Sequence, residues 1–441
     1  MGLHLIRGSG KTERPIALLD LGSSKVSCLI VSAAGGDAGE ARVGAPLPAR
    51  KLGFGLTRSR GIRAGSIIDL IEAEEAVKQA VGLAEAEAGI RVEEVVVAVT
   101  SGRLKSLNFA ASTAPAGGTV ANSDVDKILA AGQAFAERDG RKLLHLQRLG
   151  FRLDGQIGIR NPRGMPGERL SLDLNAVTAD EVALRNIRMM LGRSYLKVAT
   201  MVAAPFASAL ATLAEEDLQA GTIVVDMGAG TTTYAVFREG MFQHAGGIAI
   251  GGHQVTLDIA RALAIPFIQA ERIKALYGNL VGAMSDEHEY VPLTPVRGSA
   301  EGELRLTRAQ LRRALAPRVD EVLQLVRERL SSGGLGMRAS ERVVLTGGGS
   351  QLAGLGDTAS RHFGCRVRLG RPGAITGLEP AIATPGLAAL LGLAFAVLVP
   401  GALGRVAGAS PASPAGYAGR LGRWFKDSFW DDELPADAGS A

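Results

Sequence analysis

One short pattern occurs twice in this sequence, in stretches about two hundred residues apart. In each copy an apolar run ends in Asp-x-Gly, small and hydroxyl residues follow, and a second apolar run begins; the copies are 16–31 and 223–237. Both copies predict a β-hairpin with a tight turn that glycine opens. A single turn of this kind usually has only a structural role, but two such turns facing each other would clamp a ligand between them.

The residues of both turns have the chemistry of a phosphate site. Glycine lets the backbone come close to a ligand, and successive backbone N–H groups form a nest for an anion. Hydroxyl side chains would add donors, whereas the carboxylates of Asp20 and Asp226 would repel phosphate but can hold a hydrated Mg²⁺ between the turns. The predicted phosphate-binding residues are Asp20, Gly22, Ser23 and Ser24 in the first turn, and Asp226, Gly228, Gly230, Thr231 and Thr232 in the second.

Two further stretches favour a nucleotide as the ligand. The apolar run 343–346 leads into Gly347, Gly348 and Gly349, and a backbone without side chains lets a flat adenine and its ribose lie against it. Glu271 and Lys274 are spaced to share one face of a helix, where they would hold ribose hydroxyls and the purine. On their own these two side chains would more often form a surface ion pair.

Composition indicates a multidomain globular chain and excludes several other classes. The chain has 441 residues, 46% of them hydrophobic and 21% charged, which is enough for two or more packed domains. A net charge of +5, spread along the chain, does not indicate a nucleic-acid-binding protein. Cys28 and Cys365 lack the spacing of a disulfide framework or a zinc site, and no signal peptide is expected at the start, so a reducing cytosol fits best. The uncharged run 380–403 has a helical part, 386–399, between two prolines, which is too short to span a bilayer and predicts a core helix.

The last segment holds both tryptophans of the chain and is predicted to bind a membrane. It follows a tether rich in Gly, Ala, Pro and Ser at 401–416. At 100° per residue, Tyr417, Leu421, Trp424, Phe425 and Phe429 share one face of a helix, and Arg420, Arg423 and Lys426 share the opposite face. Such a helix suits a bilayer interface, with aromatic residues inserted and basic residues on anionic lipid head groups. The alternatives are docking on the chain's own core or on a partner helix.

The order of these elements resembles the actin-like ATPase superfamily, from residue 16 to about residue 399. Within it, the sequence is most similar to the FtsA family of bacterial cell-division proteins, in three stretches. Lys25 follows Gly-Ser-Ser in the first turn, as it commonly does in that family, and is therefore added to the phosphate site. Residues 158–165 read G-I-R-N-P-R-G-M, similar to the family's G-I-x-N-P-x-G pattern. The aromatic and basic tail is the third stretch.

The resemblance implies an α/β chain with the actin-like (ribonuclease H-like) two-domain ATPase fold, an inserted small β-α-β module and a C-terminal amphipathic helix. The implied division is subdomain IA at 15–91 and 171–220, the inserted module IC at 92–170, subdomain IIA at 221–246 and 335–400, subdomain IIB at 247–334, a flexible linker at 401–416 and a membrane helix at 417–430. Within the module, strands are expected at 94–100 and 143–153, with a helix at 122–137 between them.

The resemblance also implies a function. Family members bind ATP and Mg²⁺, form polymers on the cytoplasmic face of the inner membrane at the division site, and tether filaments of the tubulin-like FtsZ there. The C-terminal peptide of FtsZ binds subdomain IIB in that family. The resemblance assigns this binding role to Arg308 and, less directly, to Arg312. Module IC contacts neighbouring subunits and later division proteins. Anionic lipids complete the expected partners.

Hydrolysis of ATP is expected to be slow or absent. In hydrolysing members of the superfamily, a Gln or Glu in the helix after the inserted module positions the attacking water. Phosphoryl transfer to water needs such a residue. That helix resembles 202–210 here, and this stretch contains no Gln, Glu or Lys.

Two other functions remain open from the sequence. A sugar or acid kinase of the same superfamily would need a general base in the cleft and has no use for a lipid-binding tail. A relative of PilM, the pilus-assembly ATPase, shares the inserted module and the nucleotide cleft and would act as a cytoplasmic interaction scaffold, but it has no comparable tail.

Overall fold

The computed structural model describes residues 15–33, 47–100, 103–293, 305–338 and 341–398. The predicted linker at 401–416 and the predicted membrane helix at 417–430 lie outside these residues. The strands are β1 (Ile16–Leu21), β2 (Lys25–Ala33), β3 (Leu47–Arg58), β4 (Ile62–Arg63), β5 (Ser66–Ile67), β6 (Glu94–Val99), β7 (Lys105–Thr113), β8 (Arg141–Leu153), β9 (Gln156–Ile159), β10 (Leu170–Asp180), β11 (Lys197–Ala203), β12 (Thr222–Met227), β13 (Thr232–Arg238), β14 (Met241–Ile248), β15 (Tyr290–Val291), β16 (Leu306–Thr307), β17 (Arg342–Thr346), β18 (Val367–Leu369) and β19 (Ile375–Thr376). The helices are α1 (Leu70–Ala88), α2 (Asn122–Ala136), α3 (Glu181–Arg193), α4 (Ala204–Thr212), α5 (Glu215–Ala220), α6 (Gly252–Ala262), α7 (Phe267–Tyr277), α8 (Arg308–Ser332), α9 (Leu355–Phe363) and α10 (Ala388–Leu398).

Two large sheets repeat one arrangement of strands. The first has the order β11-β6-β1-β2-β3-β19 and the second has the order β14-β13-β12-β17-β18. In each sheet a hairpin, β1–β2 or β12–β13, is joined on one side by an antiparallel third strand and on the other by a parallel strand. The two hairpins predicted from the repeated pattern are therefore confirmed, and their turns occupy equivalent positions in the two halves.

Helices cover the first sheet and fix its hairpin. Helix α1 lies on β3, where Gly53 and Gly55 let the helix backbone approach closely; a Cβ on Gly53 would meet the Cβ of Ala88 at 2.9 Å. Helix α10, from Ala388 to Ala396, is buried against α4 and the same sheet. This confirms the prediction of a core helix in the uncharged run. No helix in the described part of the chain is both long and apolar enough to cross a bilayer.

The inserted module is a four-stranded antiparallel sheet, in the order β7-β10-β8-β9, with helix α2 packed on it. Its strands differ at both ends from the predicted segment 92–170. Strand β6, which that segment included, pairs in parallel with β1 and β11, because its run of valine and alanine, buried from Val95 to Val99, suits a central strand of a parallel sheet. Strand β10, of which the segment included only Leu170, pairs along its length with β8 and over Leu170 to Thr178 with β7.

The module contacts both large sheets. Ala245 N on β14 donates a hydrogen bond to Ser106 Oγ on β7, at 3.1 Å. Ala203 N, at the start of α4, donates to Nε2 of His145 on β8, at 2.9 Å. The His145 ring also packs on Phe206 of α4 and Phe242 of β14. The module is thus fastened to both halves of the chain.

Candidate functional site: the cavity between the two turns

A cavity of about 490 Å³ lies between the two large sheets, and both turns line it. Its volume is in the range of ligand-binding pockets. The structure brings together fourteen of the fifteen residues predicted for nucleotide binding, with Thr232 as the exception. The fourteen are Asp20, Gly22, Ser23, Ser24, Lys25, Asp226, Gly228, Gly230, Thr231, Glu271, Lys274, Gly347, Gly348 and Gly349.

The two turns touch each other. A Cβ placed on Gly230 of the second turn would clash with the side chain of Ser23 in the first turn and with the backbone of Ala64. Gly228 and Gly22 each lie too close to the carbonyl three residues on, in their own turns, to carry a Cβ without displacement. Glycine at these positions therefore permits both the tight turns and their contact across the cleft.

Asp20 and Asp226 line the same cavity, and the positive charge of Lys25 acts on both carboxylates. Burial raises the pKa of Asp20 to about 7, with a further contribution from Asp226, while Lys25 opposes the rise. Desolvation also raises the pKa of Asp226, against a hydrogen bond from Ser208 and the charge of Lys25. Burial lowers the pKa of Lys25, and the two carboxylates oppose that shift. Two carboxyl groups and one amine are thus enclosed together, an arrangement typical of functional sites.

These residues fit a magnesium ion bound with phosphate. Burial is the main cause of the raised pKa of Asp20 and of Asp226, and a cation between the two carboxylates would favour their charged forms. Within the described residues no group of three or more His, Cys, Asp or Glu side chains is placed to hold a metal. Mg²⁺ suits a site with one or two carboxylates because it takes its other ligands from water and substrate phosphates.

A contact that the sequence analysis missed fixes Asp226. The Ser208 hydroxyl on α4 donates a hydrogen bond to Asp226 Oδ2. Ser208 is fully buried, and its helix follows directly on β11, the edge strand of the first sheet. The sequence carries no local signal for this contact, since the two residues meet only when α4 packs on β12.

Glu271 and Lys274 line the cavity from α7 and form an ion pair at 2.8 Å. Lys274 Nζ also donates to Thr256 Oγ1 at 2.7 Å and to the carbonyl of Gly252 at 3.1 Å. The Thr256 hydroxyl bonds to the Glu271 carboxylate. The network holds both charged groups at the cavity wall, with polar atoms available to ribose hydroxyls.

Gly347 begins the glycine-rich segment with a φ of +83°, which disfavours any other residue. A Cβ there would meet the Met227 carbonyl at 2.6 Å. The bare backbone of this segment forms one wall of the cavity, as predicted.

The structure places Thr232 outside the cavity. Its side chain is fully buried, and its hydroxyl donates to the Ile250 carbonyl at 2.9 Å. Thr232 is the first residue of β13, so its side chain points away from that of Thr231, which lines the cavity. The lining includes instead Gly251 and Gly252, where α6 begins, and Gly386 beside Lys25. Two adjacent glycines before an amphipathic helix were the available signal for the first pair.

Arg308 and Arg312 lie at the start of α8, away from the cavity lining. Arg308 pairs with Glu289 at 2.9 Å, and Arg312 pairs with Asp286. Arg308 is the first residue of the helix. A cation at this end is unfavourable for the helix dipole, so helix stability does not explain its presence.

Curated relatives match this chain over nearly its whole length. The chain is 36% identical over 423 residues to the cell division protein FtsA of Rhizobium meliloti, which is 95% of this chain and 96% of that protein. The chain belongs to the FtsA family of cell-division proteins. It is also 32% identical to FtsA of Pseudomonas aeruginosa over 86% of this chain, and 30% identical to FtsA of Escherichia coli over 87% of it; the matches span 88% and 90% of those proteins. Two family models agree: "Cell division protein FtsA" matches residues 223–392, and "SHS2 domain inserted in FTSA" matches residues 101–178.

A solved structure supports the fold of this FtsA-family chain. The chain is similar to a structure of the PilM-PilN type IV pilus biogenesis complex, with a TM-score of 0.61 and 19% identity over 88% of this chain and 99% of that one. At that identity the likeness concerns the fold alone. The mixed α/β, actin-like architecture with an inserted module is thus confirmed for the described residues, and the SHS2 match falls on β7 to β10.

Proposed function

We propose that this FtsA-family chain binds ATP with Mg²⁺ between its two turns. The contact of Ser23 with Gly230 carries the proposal, because it joins two anion-binding turns from different sheets around one pair of carboxylates. The turns and Lys25 would bind the phosphates, Asp20 and Asp226 would hold the hydrated Mg²⁺, and the Glu271 and Lys274 wall with Gly347, Gly348 and Gly349 would receive the nucleoside. Bound Mg²⁺ would neutralise phosphate charge.

We also propose that ATP controls assembly rather than being turned over quickly. The segment after the inserted module ends β11 and forms α4, and the side chain that it directs to the carboxylates is Ser208. Ser208 already donates its hydroxyl hydrogen to Asp226, and it cannot act as a base for an attacking water. A multiple-turnover phosphate-release rate equal to that of actin filaments would contradict slow hydrolysis.

At the cell level we propose that the chain polymerises on the cytoplasmic face of the inner membrane at the division site, as a peripheral protein. The helix proposed for 417–430 would bind anionic lipids weakly as a single copy and strongly as a polymer of many copies. Subdomain IIB would bind the C-terminal peptide of FtsZ, and the inserted module would contact later division proteins. The support is family membership, the cleft and the tail sequence.

The alternative of a PilM-like pilus-assembly scaffold is not favoured by any contact in the structure. Its support is a likeness of fold at 19% identity, whereas curated FtsA proteins are 30–36% identical to this chain.

Co-sedimentation with anionic liposomes in the presence of ATP tests the membrane part. We expect the full chain to pellet with the liposomes and a chain ending at Gly416 to stay in the supernatant. A matched variant, Trp424→Ala with Phe425→Ala, should behave as the truncation does, because it removes apolar anchors and keeps every charge. Pelleting that survives truncation would contradict the tail as the anchor.

A further inference from the structure

A short hairpin that follows β3 lies against the second turn of the cavity. Strands β4 and β5 are joined by Ala64 and Gly65, both with positive φ, at +48° and +73°. This is the two-residue turn that matches the twist of a hairpin, although alanine is rarely found at such a φ. The turn lies against Gly230 of the second phosphate turn, close enough for the Ala64 nitrogen to meet any Cβ there.

The hairpin is held in place from both ends. Ser59 N donates to the Ser24 carbonyl of the first turn at 2.9 Å. Ile68 N and Asp69 N both donate to the Gly61 carbonyl, at 2.8 and 3.1 Å, just before α1 begins. A side chain at the tip of this hairpin is therefore positioned by the same backbone that forms the first turn.

Arg58, at the end of β3 just before this hairpin, and Arg63, within the hairpin, both lie close to residues that line the cavity. Arg58 is the direct cross-strand partner of Lys25 in the antiparallel pair of β2 and β3. Directly opposed side chains on such strands share one face, with their Cβ atoms about 5 Å apart, and like charges in this position repel. Arg63 is the last residue of β4. His253 lines the cavity at the start of α6; burial lowers its pKa, and the positive charges of Arg58 and Arg63 lower it further.

Neither arginine is neutralised by the described part of the chain. Arg58 and Arg63 are exposed, and no described carboxylate lies within ion-pair distance of either guanidinium. Glu271, a carboxylate that also acts on His253, is already paired with Lys274. Two arginines beside an anion-binding turn, with no described carboxylate paired to either, are stabilised when an anion binds between them.

We propose that Arg58 and Arg63 form a phosphate subsite beside the cavity, which binds phosphate oxygens of the nucleotide held by the two turns. The proposal rests on the proposed function, because the turns supply the rest of the site. The proposal assigns a role to the β4–β5 hairpin. The hairpin belongs to the first half of the chain, and it would place the positive charge of Arg63 beside a ligand that also contacts the second half. Arginine suits this role because its planar guanidinium can bond two phosphate oxygens at once.

Isothermal titration of the full chain with ATP, adenosine and inorganic pyrophosphate tests the subsite. The variants are Arg58→Ala, Arg63→Ala and the double variant. Arg60→Ala is the matched control, since Arg60 is exposed in the same segment and makes the same charge change without acting on His253. We expect each test substitution to weaken ATP binding about tenfold, the double variant to weaken it further, and adenosine binding and the control to stay unchanged.

ATP affinity that is unchanged in the double variant overturns the subsite. Adenosine affinity that falls as much as ATP affinity also overturns it, because the loss is then structural and not a loss of phosphate binding. Absence of ATP and adenosine binding in the wild-type chain would instead contradict the proposed function. In that case, pyrophosphate binding that depends on both arginines would support the subsite, and pyrophosphate binding equal in all variants would overturn it.

Discussion

Ser23 and Gly230 meet across the cleft with no room for a side chain between them. A Cβ on Gly230 would lie 2.7 Å from Ser23 Cβ and 2.9 Å from the nitrogen of Ala64. The first turn, the second turn and the β4–β5 hairpin therefore touch at one point. A side chain at Gly230 must therefore displace Ser23, the β4–β5 hairpin or its own turn.

The first prediction concerns that point. Gly230→Ala should weaken ATP binding by roughly five- to 150-fold, because relieving the clash separates the two turns and overpacking of this kind costs roughly 1–3 kcal/mol. Titration calorimetry of both proteins measures it. Gly192→Ala in α3 is the control, since no atom lies within 4 Å of a Cβ at that position. Equal ATP affinity of Gly230→Ala and the wild type would contradict a closed clamp.

The second prediction concerns pH. With a pKa of about 7 in the metal-free chain, Asp20 is mostly protonated below that pH and must release its proton to hold Mg²⁺. The Mg²⁺-dependent part of ATP affinity should therefore be fully present near pH 8 and fall by up to about tenfold per pH unit below 7. Asp20→Asn should show weak Mg²⁺ dependence without this slope. Wild-type Mg²⁺ dependence that is equal at pH 6 and pH 8 would rule the mechanism out.

The third prediction distinguishes the effect of the Ser208 hydrogen bond from the effect of α4 packing. The Ser208 hydrogen bond lowers the pKa of Asp226 against desolvation, so Ser208→Ala should raise that pKa and move the Mg²⁺ requirement to higher pH. Thr212→Val, one turn further along α4, is matched because its hydroxyl bonds the Ser208 carbonyl and not Asp226. The pH profile of Mg²⁺-dependent ATP binding distinguishes the two variants. Identical shifts in both would mean that helix packing, and not the hydrogen bond, is responsible.

The fourth prediction concerns stability. Burial lowers the pKa of His145 to about 3, from the usual histidine value of about 6.5. A depressed folded-state pKa gives stability that is present above pH 6.5 and lost as the pH falls toward 3, because only the unfolded chain takes up the proton. From this group the wild type should lose about 2 kcal/mol between pH 7.5 and pH 5.

Denaturant unfolding of the wild type and His145→Phe at both pH values measures that loss. The variant keeps an aromatic ring beside Phe206 but leaves Ala203 N without its acceptor, so it should be less stable at pH 7.5. The gap should narrow by about 2 kcal/mol at pH 5, since the variant has no imidazole to titrate. A gap of constant size would show that His145 is not held neutral.

The fifth prediction concerns FtsZ. Arg308→Glu should abolish binding of the FtsZ C-terminal peptide and leave ATP affinity unchanged, because Arg308 lies at the start of α8 and outside the cavity lining. A glutamate at the first helical residue favours the helix dipole, so loss of the helix would not explain a loss of binding. Arg327→Glu, exposed near the other end of α8, is the control. Peptide binding by fluorescence anisotropy that is equal in all three proteins would remove Arg308 from the site.

The sequence predicted those parts of the site that are encoded within single turns. Each Asp-x-Gly turn, and the run Gly347 to Gly349, carries its own local signal, and the structure brings all of them to one cavity. Thr232 was wrong as a cavity residue because the sequence does not show at which residue the turn ends and strand alternation begins. Ser208 and the Arg58 pairing with Lys25 were missed because they depend on helix packing and on strand register, which a single sequence does not reveal.

The fold was also predicted only in part, because a single sequence does not reveal which strands are neighbours. Strand β6 was correctly located as a strand and assigned to the wrong sheet, since an apolar run shows burial and does not name its neighbours. The subdomain division as a whole, and the roles proposed for 401–430, stay predictions.

The inserted module is attached to Ala245 on the second sheet and to Ala203 at the edge of the first. A change in the angle between the two halves must therefore break one of these bonds or turn the module as a rigid lever. No residue from β7 to β10 lines the cavity, and yet the module would move with the width of the cleft. A protein bound to the outer face of the module would therefore be displaced when the cleft between the two halves opens or closes.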